Sequence, residues 1–310
     1  MHNIVISAKD LKKSYGKSTV LDGLNFKVEH GSIFALLGEN GAGKTTTVRI
    51  LSTLIHADSG DAKIAGFDTK LEAASVKKLI SLTGQYATVD ELLTGEENLM
   101  MMGRLNHLDS KTVKKRTTEL LEQFDLVEAA KKPAKSYSGG MRRRLDIAIS
   151  LLSTPDVIFL DEPTTGLDPR SRRNMWHLIQ QLADDGVTIF LTTQYLEEAD
   201  QLADKIAIID SGKIVEEGTA EELKNIVGDE KLELKFADED TLQRAQELLQ
   251  GHVNKTEQSI SIAAESTGDL RQLLNSLHEK GIEPKAINFR KPTLDDVFME
   301  ITNRKQKEMS

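Results

Sequence analysis

The consecutive residues Gly38-Glu39-Asn40-Gly41-Ala42-Gly43-Lys44-Thr45-Thr46 have the types and spacing of a loop that wraps an anion. They match the pattern G-x-x-x-x-G-K-[ST] at every fixed position. Glycines at 38, 41 and 43 let backbone N–H groups turn inward, and a helix starting just after them adds the partial positive charge of its N-terminus. Lys44 has the reach for the β- and γ-phosphates of a nucleotide, and the Thr45 hydroxyl is a hard oxygen ligand suited to Mg²⁺.

A second chemical group is the carboxylate pair Asp161-Glu162, closing the apolar run Val157-Ile158-Phe159-Leu160. An acid that holds a metal through its water shell, next to an acid that polarises a water, is the equipment for attack on a phosphoryl group. A buried strand that merely surfaces in acids would look the same. Ser138-Gly139-Gly140 offers backbone donors and a hydroxyl at a helix start, and so either a second phosphate-binding surface or an ordinary helix cap. The three arginines that follow, Arg142, Arg143 and Arg144, read as a solvated face or as salt-bridge donors. Gln85 and Gln194 stand at the ends of apolar runs. The Gln85 carbonyl can coordinate Mg²⁺ or its water, or the side chain is a solvated loop amide; the Gln194 amide can donate a hydrogen bond to a γ-phosphate. Tyr15, before Gly16, can stack on an adenine or pack at a strand end.

These groups need strands and helices to hold them. Ser32–Leu37 reads as a buried strand before the phosphate loop, with a helix opening after it. Leu79–Thr83, Pro155–Leu160 and Val187–Thr193 read as further buried strands, each delivering polar residues at its C-terminal edge, where ligands of parallel sheets sit. Strands are also expected around Ile4–Ile6 and from Val20 to Val28. From Ala87 to Leu152 the texture turns helical, an insertion among the strands. From 227 to 310 the order β-α-β-β-α-β followed by a helix suggests a separate ferredoxin-like unit, with Leu270, Leu273, Leu274 and Leu277 on one helical face. That unit shows no catalytic constellation, and a dimer-stabilising or regulatory appendage is favoured over small-molecule sensing.

Composition bounds the rest. With 310 residues and 39% hydrophobic content there is room for one large α/β domain and a smaller one. The absence of cysteine removes disulfides and zinc–thiolate sites. A net charge of −9 argues against nucleic acid as the main partner. The N-terminus lacks the pattern of a secretory signal and no apolar run approaches the ~20 residues of a membrane span, so a soluble or peripherally attached protein is expected.

Taken together and in this order, the Gly38–Thr46 loop, Gln85, Ser138-Gly139-Gly140, Asp161-Glu162, Gly166-Leu167-Asp168 and Gln194 resemble the ATP-binding subunit of an ABC transporter. The stretches from Tyr137 to Asp146 and from Leu191 to Asp200 are similar to the daunorubicin-resistance type of export ATPase. The resemblance covers residues 3–225, and the ending from Pro292 resembles that of the same subfamily. It implies a P-loop NTPase core of α/β class at 1–226 with a helical subdomain at about 87–152, and an α+β accessory domain at 227–310. It also implies Tyr15 as the adenine-stacking residue, Glu162 as catalytic base assisted by Lys44 and Gln194, and Mg²⁺ held by Thr45, Gln85 and Asp161. ATP would be bound by the Gly38–Thr46 loop, and Ser138-Gly139-Gly140 and Asp168 would complete the site of a second subunit in a head-to-tail dimer. A polytopic permease is the implied partner, which places the chain on the cytoplasmic face of the membrane. Two residues depart from the family pattern: Met141 stands where Gln is usual, and Gln194 where His is usual. The rival reading, a soluble ABC ATPase of translation or repair, expects two cassettes in one chain or a long coiled coil between loop and signature. This chain has one phosphate loop and a short stretch between Lys44 and Ser138.

Overall fold

The computed structural model describes residues 4–84, 89–227, 231–249, 251–263, 267–290 and 292–308. The chain divides into two compact units, Met1–Ala220 and Glu221–Ser310.

The first unit begins with two long antiparallel strands, β1 (Ile4–Tyr15) and β2 (Ser18–Glu29), each extending well beyond the apolar stretches that announce them. Next come β3 (Ile33–Leu37), α1 (Lys44–Leu51), β4 (Ser59–Ile64), β5 (Phe67–Asp68), α2 (Ala73–Leu79) and β6 (Ile80–Thr83). Leu79, expected on a strand, instead closes α2. The helical insertion holds α3 (Gly95–Leu105), α4 (Ser110–Gln123) and α5 (Gly139–Ser150). The chain then runs through β7 (Val157–Asp161), α6 (Pro169–Asp184), β8 (Thr188–Thr193), α7 (Leu196–Leu202), β9 (Lys205–Asp210) and β10 (Lys213–Gly218), and α8 (Ala220–Asn225) belongs, after its first residue, to the second unit.

β3, β7 and β8 are buried at every residue, as expected of parallel strands covered on both faces. They belong to a six-stranded sheet of order β10-β9-β3-β8-β7-β6, parallel except for β10. A second, antiparallel sheet has the order β2-β1-β4-β5. Phe26 of that sheet stacks on Phe34 of the parallel sheet at 5.4 Å, and Phe190 lies 5.4 Å from Phe34 and 5.5 Å from Phe159. These four rings join both sheets in one core, which fixes the strand ends that carry the polar residues.

Register completes the positioning. Leu37 pairs with Thr193, and Asp161 pairs with Thr192. Gly38, Gln194 and Glu162 are therefore the first residues past the ends of three adjacent strands, β3, β8 and β7, on one edge of the sheet.

The second unit contains β11 (Lys231–Lys235), α9 (Glu239–Gln246), β12 (His252–Asn254), β13 (Ser259–Ala263), α10 (Thr267–Glu279), β14 (Ala286–Arg290) and α11 (Leu294–Glu308). Its sheet is antiparallel with order β12-β13-β11-β14, the split arrangement expected from the order of its elements. Leu232, Leu234, Ile260, Leu242 and Leu277 form its core.

Candidate nucleotide site

Side chains cap α3 (Thr94), α4 (Asp109), α5 (Ser138) and α6 (Asp168), whereas α1, like α2 and α7, has no side-chain cap, and it begins at Gly43 with a left-handed φ of 114°. Its first-turn N–H groups face the Gly38–Thr46 loop without competition from an attached acceptor. Glycine is required at 43 by that φ and by crowding, since a Cβ would meet Leu21 Cδ2 at 2.6 Å and Val20 O at 2.9 Å. Glu39, Asn40 and Gly41 form the exposed crest of the loop, Ala42 is buried beneath it, and Thr46 is half-buried on α1.

Lys44 is 4% exposed. Its Nζ donates to Gly38 O at 2.8 Å and Glu39 O at 3.0 Å, and lies 3.5 Å from Glu162 Oε1. Burial pushes its pKa down, opposed by the charges of Glu162, Asp161 and Glu39. A buried cation held by two carbonyls and one carboxylate can exchange these partners for phosphate oxygens without entering water.

Asp161, also buried, accepts from Thr192 Oγ1 at 2.5 Å and Thr45 Oγ1 at 3.3 Å through a single oxygen, Oδ1. Glu162 has a left-handed backbone, φ +49°. Its N–H donates to both Thr192 O and Thr192 Oγ1 at 3.1 Å, and its Oε2 accepts from Thr165 Oγ1 at 3.2 Å. Lys44, Thr45, Asp161 and Glu162 thus form one contiguous group.

Gln194 is half-buried just past β8, and the following Tyr195 lies under the Arg172 guanidinium, 4.9 Å from ring centre to Cζ. Tyr15 is 49% exposed at the end of β1, with Lys13 Nζ 5.6 Å from its ring centre. Ser138 and Gly139 are exposed at the start of α5, where Ser138 Oγ accepts from Met141 N at 3.2 Å. Among the described residues no hydrogen bond joins Ser138-Gly139-Gly140 to the phosphate loop of the same chain. Asp168 caps α6, accepting from Arg170 N and Ser171 N at 3.0 Å and from Ser171 Oγ at 2.6 Å, and these bonds hold its pKa down. Gln85 lies outside the described residues.

Three residues of this region escape the sequence reading. Thr192 bridges both acids. Glu198 on α7, fully buried, accepts through Oε1 from Thr164 Oγ1 at 2.7 Å and Trp176 Nε1 at 3.1 Å; burial pushes its pKa up. Arg143, read from the sequence as part of a solvated face or as a salt-bridge donor, pairs with Asp146 at 3.3 Å but is buried beneath the end of β7. An arginine and an aspartate one turn apart on α5, Arg143 and Asp146, with Asp146 inside the apolar run Leu145–Ile149, are the signal that could have marked it.

Thr45 and Asp161 offer oxygen donors only, one hydroxyl and one carboxylate. That set fits Mg²⁺, which keeps waters and binds few protein ligands alongside phosphates.

A phosphate loop at the end of β3, acids at the end of the adjacent-but-one strand and a helical insertion define a P-loop ATPase. Residues 21–165 match the ABC transporter family and residues 218–302 match the C-terminal domain of DrrA1-3-like ATP-binding proteins. The chain belongs to the ATP-binding subunits of ABC transporters, within the daunorubicin-resistance export subfamily. The daunorubicin/doxorubicin resistance ATP-binding protein of Streptomyces peucetius is 45% identical to it over 96% of this chain and 92% of that protein. The doxorubicin resistance ATP-binding protein of Mycobacterium tuberculosis is 46% identical over 97% and 94%, and the linearmycin resistance ATP-binding protein of Bacillus subtilis 35% identical over 97% and 99%. Among solved structures, an ATP-binding subunit of an ABC transporter superposes with a TM-score of 0.64 at 27% identity, covering 72% of this chain and 93% of that one. The first unit is accordingly an ATPase domain. No helix among the described residues is long and apolar enough to cross a membrane.

Proposed function

We propose that the chain powers efflux of a drug or lipid-like molecule through a separate membrane permease, working as a head-to-tail dimer on the cytoplasmic face of the membrane. The observation that carries this reading is the grouping of Lys44, Thr45, Asp161 and Glu162, with Lys44 Nζ 3.5 Å from Glu162 Oε1 and Thr45 Oγ1 3.3 Å from Asp161 Oδ1.

In this reading the triphosphate lies along Gly38–Thr46, with Lys44 released from the Gly38 and Glu39 carbonyls onto the β- and γ-phosphates. Tyr15 stacks on the adenine. Thr45 and Asp161, with Gln85, would hold Mg²⁺, which when bound would neutralise charge on the phosphate oxygens. Glu162 accepts a proton from the water whose oxygen bonds to the γ-phosphorus as the bond to ADP breaks, and the Gln194 amide donates to the γ-phosphate oxygens. Ser138-Gly139-Gly140 and Asp168 face the nucleotide of the other subunit. Their surface placement, apart from their own phosphate loop, supports that division of labour.

A groove of about 400 Å³ on the helical insertion, lined by Leu93, Met100, Met101 and Leu105 and flanked by Glu97 and Arg104, suits a cytoplasmic helix of the permease. Methionine side chains adapt to such a partner. The second unit supports dimerisation or permease assembly.

Glu162→Gln tests the reading. The amide is nearly isosteric but takes no proton, so the variant should bind ATP, accumulate as a nucleotide-bound dimer in size-exclusion chromatography and turn over at least about a hundredfold more slowly. Turnover at the wild-type rate would place the base elsewhere.

A further inference from the structure

Arg143 lies one turn past Ser138-Gly139-Gly140 on α5, its side chain only 10% exposed. All three of its guanidinium nitrogens donate. Nε donates to Pro163 O at 3.0 Å and Nη2 to Asp161 O at 3.2 Å, while Nη1 donates to Gly84 O at 2.7 Å and Asp146 Oδ2 at 3.3 Å. The carbonyls of Asp161 and Pro163 are those immediately before and after Glu162. A single rigid fork therefore grips the backbone on both sides of the residue that has the left-handed conformation. Its third carbonyl, Gly84 O, belongs to the residue just before Gln85.

A buried guanidinium is a costly anchor, because an apolar side chain of similar volume would fill the space with less desolvation. What a planar fork supplies, and an aliphatic side chain or a lysine does not, is fixed relative placement of several acceptors. Here the acceptors are the ends of β6 and β7, and the donor moves with the helix that begins at Ser138.

We infer that Arg143 is a positioning residue for ATP hydrolysis, which sets the backbone of Glu162 and ties it to the seating of Ser138-Gly139-Gly140. This rests on the reading of Glu162 as the base. When the exposed start of α5 meets a nucleotide on the opposing subunit, any shift of that helix passes through one rigid group to the carbonyls flanking Glu162 and to the residue before Gln85. Hydrolysis is thereby conditional on closure, with no hydrogen bond between signature and base of the same chain among the described residues.

The test is Arg143→Lys in the full-length chain, which keeps the charge and loses the fork. ATP affinity should stay within about twofold, because no phosphate-facing group is touched, while kcat falls at least about tenfold. Combined with Glu162→Gln, the lysine variant should slow turnover no further than Glu162→Gln alone, since both act on one group. Wild-type kcat in Arg143→Lys, or additive losses in the double variant, overturns the inference and leaves the base assignment standing. Wild-type turnover in Glu162→Gln alone strikes the base assignment itself. If Arg143→Lys does not fold, Arg143→Gln is read in the same way. On the unmodified chain, amide exchange at Glu162, Thr164 and Thr165 and at 139–145 should slow together on adding MgATP, and independent responses overturn the inference.

Discussion

The Thr192 hydroxyl donates to Asp161 Oδ1 at 2.5 Å from a side chain with no exposure to solvent, and accepts from the Glu162 N–H at 3.1 Å. The strand that leads to Gln194 therefore holds both acids of the neighbouring strand. Thr192→Val preserves shape and removes this bridge, leaving Asp161 with Thr45 as its hydroxyl donor. A lost hydrogen bond to a buried charged group costs about 1–3 kcal/mol. The variant should unfold at lower urea, require more Mg²⁺ for half-maximal ATPase and turn over about tenfold more slowly. Thr192→Ser, which restores the hydroxyl, should recover most of the rate.

Lys44→Ala removes the buried cation that stands among the loop carbonyls and Glu162. ATP affinity should fall at least about thirtyfold, corresponding to ~2 kcal/mol or more for a desolvated charge contact. Equilibrium binding of a fluorescent ATP analogue measures this directly, and unchanged affinity would remove the phosphate-loop assignment.

Gln194→Ala should spare ATP affinity and lower kcat about a hundredfold, the loss expected when one donor to a developing charge is deleted. Gln194→His should keep substantial activity and acquire a pH-dependent limb around ~6.5, where imidazole titrates and an amide does not. A rate profile from pH 5.5 to 8.5 for the three proteins separates these outcomes.

Glu198 imposes a pH dependence on stability. Burial raises its pKa above the ordinary 4.5, opposed by Thr193, Thr164, Trp176 and Arg172. From pH 4.5 upward to that raised value the folded chain retains a proton that the unfolded chain releases, so this contribution is fully present below 4.5 and is lost as pH rises through the folded pKa. Glu198→Gln removes the titration. Urea unfolding at several pH values should show the variant gaining stability relative to wild type as pH increases across that window. A difference independent of pH would mean that Glu198 titrates normally.

Contiguous features were legible in the sequence. The phosphate loop is read from backbone requirements that glycine alone meets, and Asp161-Glu162 from the end of an unbroken apolar strand. The order of the second unit follows from alternation in Lys231–Lys235 and Ser259–Ala263 and the leucines of α10. Contacts between distant segments were not legible. Arg143, Thr192 and Glu198 act on residues far along the chain or on a neighbouring strand, and local pattern left Arg143 between a solvated face and a salt-bridge donor and put Thr192 at a polar strand end. Asp168 shows a different limit: an acid before proline is an evident helix cap, and capping engages the same carboxylate that the resemblance assigns to a nucleotide.

The left-handed backbone at Glu162 sets two demands on one residue against each other. An L-residue with a Cβ pays about 1–2 kcal/mol for such a conformation, and glycine or asparagine relieves much of it. Selection for endurance alone, at high temperature or under proteolysis, would favour those replacements here, and on the proposed role of Glu162 as base the product would be a more durable fold that grips ATP without spending it. On that proposal a glutamate kept at this site is a mark of continuing use, and its loss in a descendant would record retirement from work.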